Sequence, residues 1–207
     1  MATNVYVDAF NLYYGSLKGT AYRWLDLGAL CARLLPKDRV NRIRYFTATV
    51  SARPDNPDAP QRQQVYLRAL ETIPGLSIHY GHYLTHVRRM PLASPPQRGA
   101  RTVEVVKTEE KGSDVNLATY LLLDAFQRDC EVAVVISNDS DLKLPIEISQ
   151  AELGIRVGVV NPHTPARRSR ALQPTFFKQL RTPTLGACQF PSLLTDAKGE
   201  IRKPAHW

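Results

Sequence analysis

Apolar residues in this chain come in short compact runs separated by longer stretches of helical spacing. Asn4 to Val7 forms a short apolar strand that Asp8 ends. From Leu27 the residues Leu27, Leu30, Cys31 and Leu34 recur at i, i+3, i+4 and i+7. That spacing predicts a helix with Asp26 as its N-cap and Pro36 just beyond its end. Val40 to Val50 is β-rich and predicts a second strand, and Arg53 to Pro60, with three prolines and two aspartates, predicts a loop. A helix follows from about Gln61 to Ile73, with Tyr66, Ala69, Leu70 and Ile73 on one face and Pro74-Gly75 as its stop. Leu76 to Leu84 alternates and predicts the third strand.

His86 to Arg101 mixes arginines with prolines and reads as a basic loop, either functional or simply solvated. Thr102 to Val106 is strand-like, and Lys107 to Ser113 reads as a charged turn. Helical spacing resumes with Val115, Ala118, Thr119, Leu122 and Phe126, which places Asp114 in a first helical turn. Val132 to Ile136 is a continuous apolar run, expected of a strand buried on both faces. A helix through about Leu153 with Gly154 as its C-cap follows, then a strand from Ile155 to Val160 and a short helical segment around Phe176 to Leu180. Past Thr182 the pattern breaks into a tail, with a turn at Ala197-Lys198-Gly199. Strands alternating with helices predict an α/β fold with a mainly parallel sheet covered on both faces.

At 207 residues the chain suits one sizeable domain with a tail, and no apolar run is long enough to span a bilayer. The segment MATNVYVDAF lacks the features of a secretory signal. Cys31, Cys130 and Cys188 are odd in number and far apart, so they form neither a disulfide framework nor a zinc pattern. A reducing cytoplasm is the simplest location. The net charge of +8 favours a polyanion such as nucleic acid, although charge alone equally serves solubility.

The charge gains meaning beside the acids. Ser137, Asn138 and Asp139 fall at the end of the central strand, where open α/β sheets keep their chemistry. Asp8 and Asn11 follow the first strand, and Asp114 starts a helix. Three such carboxylates, with Asp141 as a fourth candidate, are hard oxygen ligands that suit Mg2+ or Mn2+ if the first and fourth strand ends lie side by side. Each also has a structural reading. Asp139 or Ser140 can cap a helix, Asp114 can sit on a helix dipole, and Asp8 with Asn11 can close a local turn.

Lys107 and Lys111 flank the middle acid and could hold a phosphate, or could simply decorate an exposed turn. Strand alternation sends His79 and His82 to opposite faces, which argues against zinc. Tyr13, Tyr14, Tyr22 and Trp24 could stack on bases or could be packing aromatics. There is no GxGxxG, no phosphate-binding GKS or GKT sequence and no nucleophile elbow.

Three segments, VDAFN at 7 to 11, EKGSDVNLA at 110 to 118 and SNDSDL at 137 to 142, in this order resemble the NYN domains of the LabA-like (DUF88) family, within the PIN-like nuclease group. The resemblance covers roughly residues 3 to 181, which suggests a domain over 1–181 and a C-terminal tail over 182–207, whose FPSLLTDAKGEIRKPAHW is similar to the end of bacterial members. It implies a PIN-like three-layer sandwich and a metal-dependent ribonuclease. Asp8, Asp114 and Asp139 are then the catalytic and metal-binding acids, with Mg2+ or Mn2+ as cofactor. Asn11, Glu110, Lys111, Ser137 and Asp141 are supporting residues, and either Glu109 or Glu110 faces the site. Asn138 stands where many relatives have glycine. Arg88, Arg89, Lys107, Lys111, Arg167, Arg168 and Arg170 are expected to contact RNA phosphates. RNA is the expected partner, with no membrane, and a homodimer is one assembly the sequence allows. Two alternatives stand beside this reading: an RNA-binding or regulatory module without catalysis, and a phosphatase for small substrates.

Overall fold

The computed structural model describes residues 1–205 and 207. Its strands are β1 (Ala2–Asp8), β2 (Arg39–Thr47), β3 (Leu76–Tyr80), β4 (His82–Pro91), β5 (Thr102–Lys111), β6 (Val132–Ile136), β7 (Arg156–Asn161), β8 (Phe176–Gln179), β9 (Leu193–Asp196) and β10 (Gly199–Arg202). Its helices are α1 (Ala9–Leu12), α2 (Leu27–Leu34), α3 (Ala59–Leu70), α4 (Ser113–Phe126), α5 (Lys143–Ala151) and α6 (Thr182–Ala187). Six strands make one sheet in the order β3-β2-β1-β6-β7-β8, and every neighbouring pair is parallel. This is the α/β sandwich that the alternation of strands and helices predicts, consistent with a PIN-like architecture.

The sheet is buried on both faces because its central strands carry apolar residues at both parities. Val5 and Val7 of β1, with Val132, Val134 and Ile136 of β6, face a core shared with α2, α3 and the C-terminal segment. Tyr6, Ala133 and Val135 face the other core, with Leu117, Leu121 and Ala125 of α4 and Ile146 of α5. Connections from β1 lead outward through β2 and β3, and those from β6 lead the other way through β7 and β8. The strand order therefore reverses between β1 and β6, the crevice where open α/β sheets bind ligands.

α4 is held to the sheet by a buried polar knot. Arg44 of β2 gives Asp124 two hydrogen bonds of 2.7 and 2.8 Å, and the Tyr6 hydroxyl donates a third at 2.8 Å. The Arg44 guanidinium also lies over the Tyr120 ring at 4.4 Å. A charge buried this deeply persists because each partner's polar atoms are satisfied.

Several elements differ from the sequence expectation. Gly81 interrupts the expected strand Leu76–Leu84, so that β3 belongs to the main sheet and β4 starts a separate antiparallel ribbon with β5. The arginine-rich stretch from His86 and the charged stretch from Lys107 are thus largely strand rather than loop and turn. Phe176–Gln179 is an edge strand on β7, not a helical segment. Beyond Thr182 the chain folds back on the body. Arg68 grips Asp196 at 2.6 and 2.8 Å, Ile201 enters the core, and Trp207 packs on Tyr66 and Trp24. Among the described residues no helix is long and apolar enough to cross a membrane, and all three cysteines are free and buried.

Replacing Asp124 by alanine strands the Arg44 guanidinium and is expected to cost about 3–5 kcal/mol of stability. Replacing Arg42, whose pair with Asp129 is half exposed, is expected to cost less than about 1 kcal/mol. Denaturant midpoints of the two variants check this, and equal losses would contradict it.

Candidate functional site

Asp8 closes β1, and the parallel register Val7↔Ile136 sets it beside Ser137 at the end of β6. Its carboxylate accepts from the Asn11 backbone N–H and from the Ser137 hydroxyl, both at 2.9 Å. Ser137 Oγ in turn accepts from the Asp139 N–H at 3.1 Å, and the Asp139 carboxylate accepts from the Asp141 N–H at 3.0 Å. The Asn11 side-chain oxygen accepts from the Asn138 N–H at 3.0 Å. The local turn at Asp8 and the cap at Asp139 are therefore real, and the same bonds aim both acids at one place.

Asp114 reaches that place from the first turn of α4, which begins after Gly112 at a φ of 96°. Beside it, the Glu110 carboxylate accepts from the Ser113 N–H at 3.1 Å and from the Ser113 hydroxyl at 2.7 Å. Gly81 allows this approach, since a Cβ there would lie 2.3 Å from Glu110 Oε1 and 2.5 Å from the Lys111 carbonyl. Together Asp8, Asn11, Glu110, Asp114 and Asp139 line a cleft of about 240 Å³, closed on one side by Phe10, Tyr14 and Tyr83.

The cleft concentrates negative charge. Burial pushes the Asp8 carboxyl up to about 7, opposed by the Asn11 and Ser137 hydrogen bonds and reinforced by Asp114 and Asp139. Burial also raises Asp114, with Asp139, Glu110 and Asp141 adding to the shift. A buried carboxyl that holds a proton in this way, as Asp8 does, is ready to exchange it for a cation. The donors are hard oxygens, matching Mg2+ or Mn2+ rather than a sulfur- or imidazole-preferring metal. No group of three or more His, Cys, Asp or Glu side chains among the described residues is placed to hold a metal ion by itself. Magnesium sites commonly use one or two carboxylates and complete the shell with water and substrate phosphate, so the donors fit that kind of site.

The other expected residues lie outside the cleft lining. Ser137 is fully buried behind Asp8 and acts through it. Lys107 and Lys111 both pair with Glu109, at 2.8 and 3.9 Å, so Glu109 faces the lysines and Glu110 faces the cleft. Arg88 and Arg89 stand on the β4–β5 ribbon, where Arg89 pairs with Glu104 at 3.2 Å. Arg167, Arg168 and Arg170 are exposed on the loop after β7. Asn138 secures that loop, donating to the Arg167 carbonyl at 2.7 Å and accepting from the Ser169 N–H at 2.8 Å. A glycine at that position would provide neither bond.

Three neighbours of the acids were not among the expected residues. Phe10 and Tyr83 line the cleft, and His163 Nε2 lies 3.1 Å from the Asn11 side-chain oxygen. His163 follows β7, so the strand-end rule that selects Asp139 could have found it. Phe10 sits inside the VDAFN segment. Tyr83 gave no signal, because only the ribbon brings it there.

The fold and the acidic cleft at its crossover define a doubly wound α/β protein of PIN-like architecture. The family model of the NYN domain matches residues 2–180, and the chain belongs to that family. It is 30% identical, across 100% of its own length and 75% of the relative's, to the 6-hydroxy-3-succinoylpyridine 3-monooxygenase HspA of Pseudomonas putida. A crystal structure of a protein of unknown function from Vibrio parahaemolyticus shares the fold, with a TM-score of 0.54 at 20% identity over 87% of this chain and 93% of that one.

The raised Asp8 makes a signed prediction for the metal-free protein. Between about pH 4 and about pH 7 the folded chain holds a proton at Asp8 that the unfolded chain has lost. Asp8 therefore contributes a loss of stability as pH rises through that window. Asp8→Asn keeps the shape without the charge, so its denaturant midpoint should exceed that of the wild type above pH 7 and match it near pH 4. Equal midpoints at both ends would show that the buried charge is not the cause.

Proposed function

We propose that the chain is a metal-dependent ribonuclease of the LabA-like branch of the NYN family. The observation that carries this reading is the convergence of Asp8, Asp114 and Asp139, from three separate elements, on one cleft at the strand-order crossover. One or two of Asp8, Asp114 and Asp139 would hold Mg2+ or Mn2+ directly, with water and substrate phosphate completing the shell. Such an ion lowers the pKa of a bound water and neutralises charge on a phosphodiester.

The chain's own part is positioning. Ser137 and the Asn11 N–H fix the Asp8 carboxylate from two sides, leaving it one orientation. Glu110, locked by Ser113, places a further acceptor at the rim, where it can take a proton from an incoming water. Hydrolysis in this arrangement leaves a 5′-phosphate and a 3′-hydroxyl. The exposed Arg88, Arg89, Arg167, Arg168 and Arg170 supply sequence-independent attraction for the phosphate backbone, while Lys107 and Lys111 moderate Glu109. That attraction falls steeply with added salt.

A second reading has one specific support. The Pseudomonas relative is named for oxygenation of a small pyridine acid, and the similarity runs the whole length of this chain. In that reaction one atom of O2 enters the substrate, the other leaves as water, and an external donor supplies two electrons.

Labelled single-stranded RNA separates the readings. The ribonuclease reading predicts cleavage with Mg2+ or Mn2+, none with chelator, and at least about a hundredfold loss in Asp139→Asn, the scale of a misplaced reacting centre. Oxygen uptake with 6-hydroxy-3-succinoylpyridine and a two-electron donor, without RNA cleavage, would replace it by the second.

A further inference from the structure

Beside the acidic cleft lies a second and larger cavity of about 470 Å³, and the two share Phe10, Tyr14 and Tyr83 in their walls. Its size falls in the range of small-molecule sites, roughly 300–1,000 Å³. Its walls are unusually aromatic. Tyr13, Tyr14, Tyr45, Tyr66, Tyr83 and Trp207 all contribute, from the turn after α1, from β2, α3 and β4, and from the end of the chain. Trp207 lies 5.5 Å from the Tyr66 ring, and Tyr45 lies 6.5 Å from it on another side.

The lining is prepared rather than loose. The Tyr66 hydroxyl donates to the Leu25 carbonyl at 2.9 Å. Gln63 clamps the segment after β2, accepting from the Val50 N–H and donating to the Ala48 carbonyl, both at 2.9 Å. Tyr13 and Tyr14 sit in a five-residue π turn, Tyr13–Leu17, a local irregularity that turns both rings out of a regular helical path.

Two observations specify the chemistry of an occupant. The first is a cationic rim: Arg53 and Arg62 line the mouth, Arg53 exposed on the loop and Arg62 held by Asn56 and Asp58. The second is an unsatisfied donor. The Trp207 indole Nε1 is buried and has no hydrogen-bond partner among the described residues. Aromatic walls favour a flat ring, guanidinium groups favour an anion, and a buried lone N–H requires an acceptor.

We propose that this cavity binds a flat aromatic ring carrying an anionic group, and that it delivers the bound molecule to the acidic cleft through the wall the two cavities share. The inference takes from the preceding section only that the acidic cleft is the reacting centre. Two sources present the same chemistry. One is a nucleotide of an RNA chain, its base among the tyrosines and a phosphate at the arginines. The other is a small heteroaromatic acid, with its ring in the same place and its carboxylate at the rim. The acidic cleft itself repels an anion unless its charge is compensated, so the arginines of the adjoining cavity provide the first point of attachment.

The test is calorimetric titration of the full chain in chelator with adenosine 5′-monophosphate and, separately, with 6-hydroxy-3-succinoylpyridine. Ribose 5-phosphate and adenosine serve as probes lacking the ring or the anion. At least one of the two anionic aromatic probes is expected to bind, and both incomplete probes are expected to bind more weakly. Arg53→Gln removes a charged partner on an exposed loop and should weaken binding about tenfold. Trp207→Phe keeps the ring packing, removes the orphan N–H, and should also weaken binding. Thermal unfolding of both variants confirms that they fold.

Binding of the nucleotide alone assigns the cavity to RNA, and binding of the pyridine acid alone assigns it to a small molecule. Failure of both probes on folded wild type overturns the proposal, as does binding indifferent to both substitutions. The same titration on Asp139→Asn keeps the two questions separate. Binding retained there, with no RNA cleavage by the wild type in Mg2+ or Mn2+, would leave the cavity standing and remove the ribonuclease reading.

Discussion

The hydrogen bond from Ser137 to Asp8 joins the carboxyl ends of the two central strands, and the site depends on it. It exists only because β1 and β6 pair in parallel with Val7 opposite Ile136. A slip of one residue would exchange the faces of every side chain on one strand and carry Asp8 away from its partner. The apolar residues on both faces do not by themselves fix this register; on β1 it is marked by polar partners, the Tyr6 hydroxyl donating to Asp124 at 2.8 Å and the Asn4 side-chain amide to Asp129 at 2.9 Å, which a slip would break. The register therefore determines where a carboxylate with a pKa of about 7 stands. Its burial is a cost that the fold carries, offset in part by the hydrogen bonds from Ser137 and the Asn11 N–H.

A second constraint acts from the far end of α4. Asp124, bonded to Arg44 and Tyr6, fixes the helix near its carboxyl end. Asp114 stands ten residues earlier, about 15 Å along the axis at the usual rise. Pinning one end of a rigid rod sets the direction of the other. The third acid, Asp139, is set by the cap it forms at the start of the helical segment after β6. Strand register, a buried ion pair and a helix cap thus each position one carboxylate of the cleft.

Much of this is legible in the amino-acid sequence. The parallel sheet follows from the alternation of apolar strands and amphipathic helices, and the acids stand out because each ends or begins such an element. Where local patterns mislead, the physical cause is identifiable. The β4–β5 ribbon carries Arg88, Arg89, Lys107, Glu109 and Glu110, and both of its faces are largely exposed, so it lacks the buried parity that marks a strand. Phe176–Gln179 is a four-residue edge strand, too short for periodicity to separate from a helical turn. The docking of the C-terminal segment rests on contacts 128 positions apart, such as Arg68 with Asp196, which no local pattern encodes. For the same reason the aromatic cavity is invisible in the sequence, although Tyr13 and Tyr14 stand out there as stacking candidates.

The chain belongs to the NYN family and is also 30% identical to a monooxygenase named for a small pyridine acid, and both proposed readings place their substrate at the acidic cleft. The central claim is that Asp8, partly protonated in the metal-free protein near pH 7, would release its proton to the buffer as a divalent cation takes its place. Calorimetric titration of Mn2+ at pH 7, in two buffers of different ionisation enthalpy, measures this directly. The account predicts binding with release of a fraction of a proton in the wild type, and loss of both affinity and proton release in Asp8→Asn. Mn2+ binding of equal strength in the two proteins, or none in either, would contradict it.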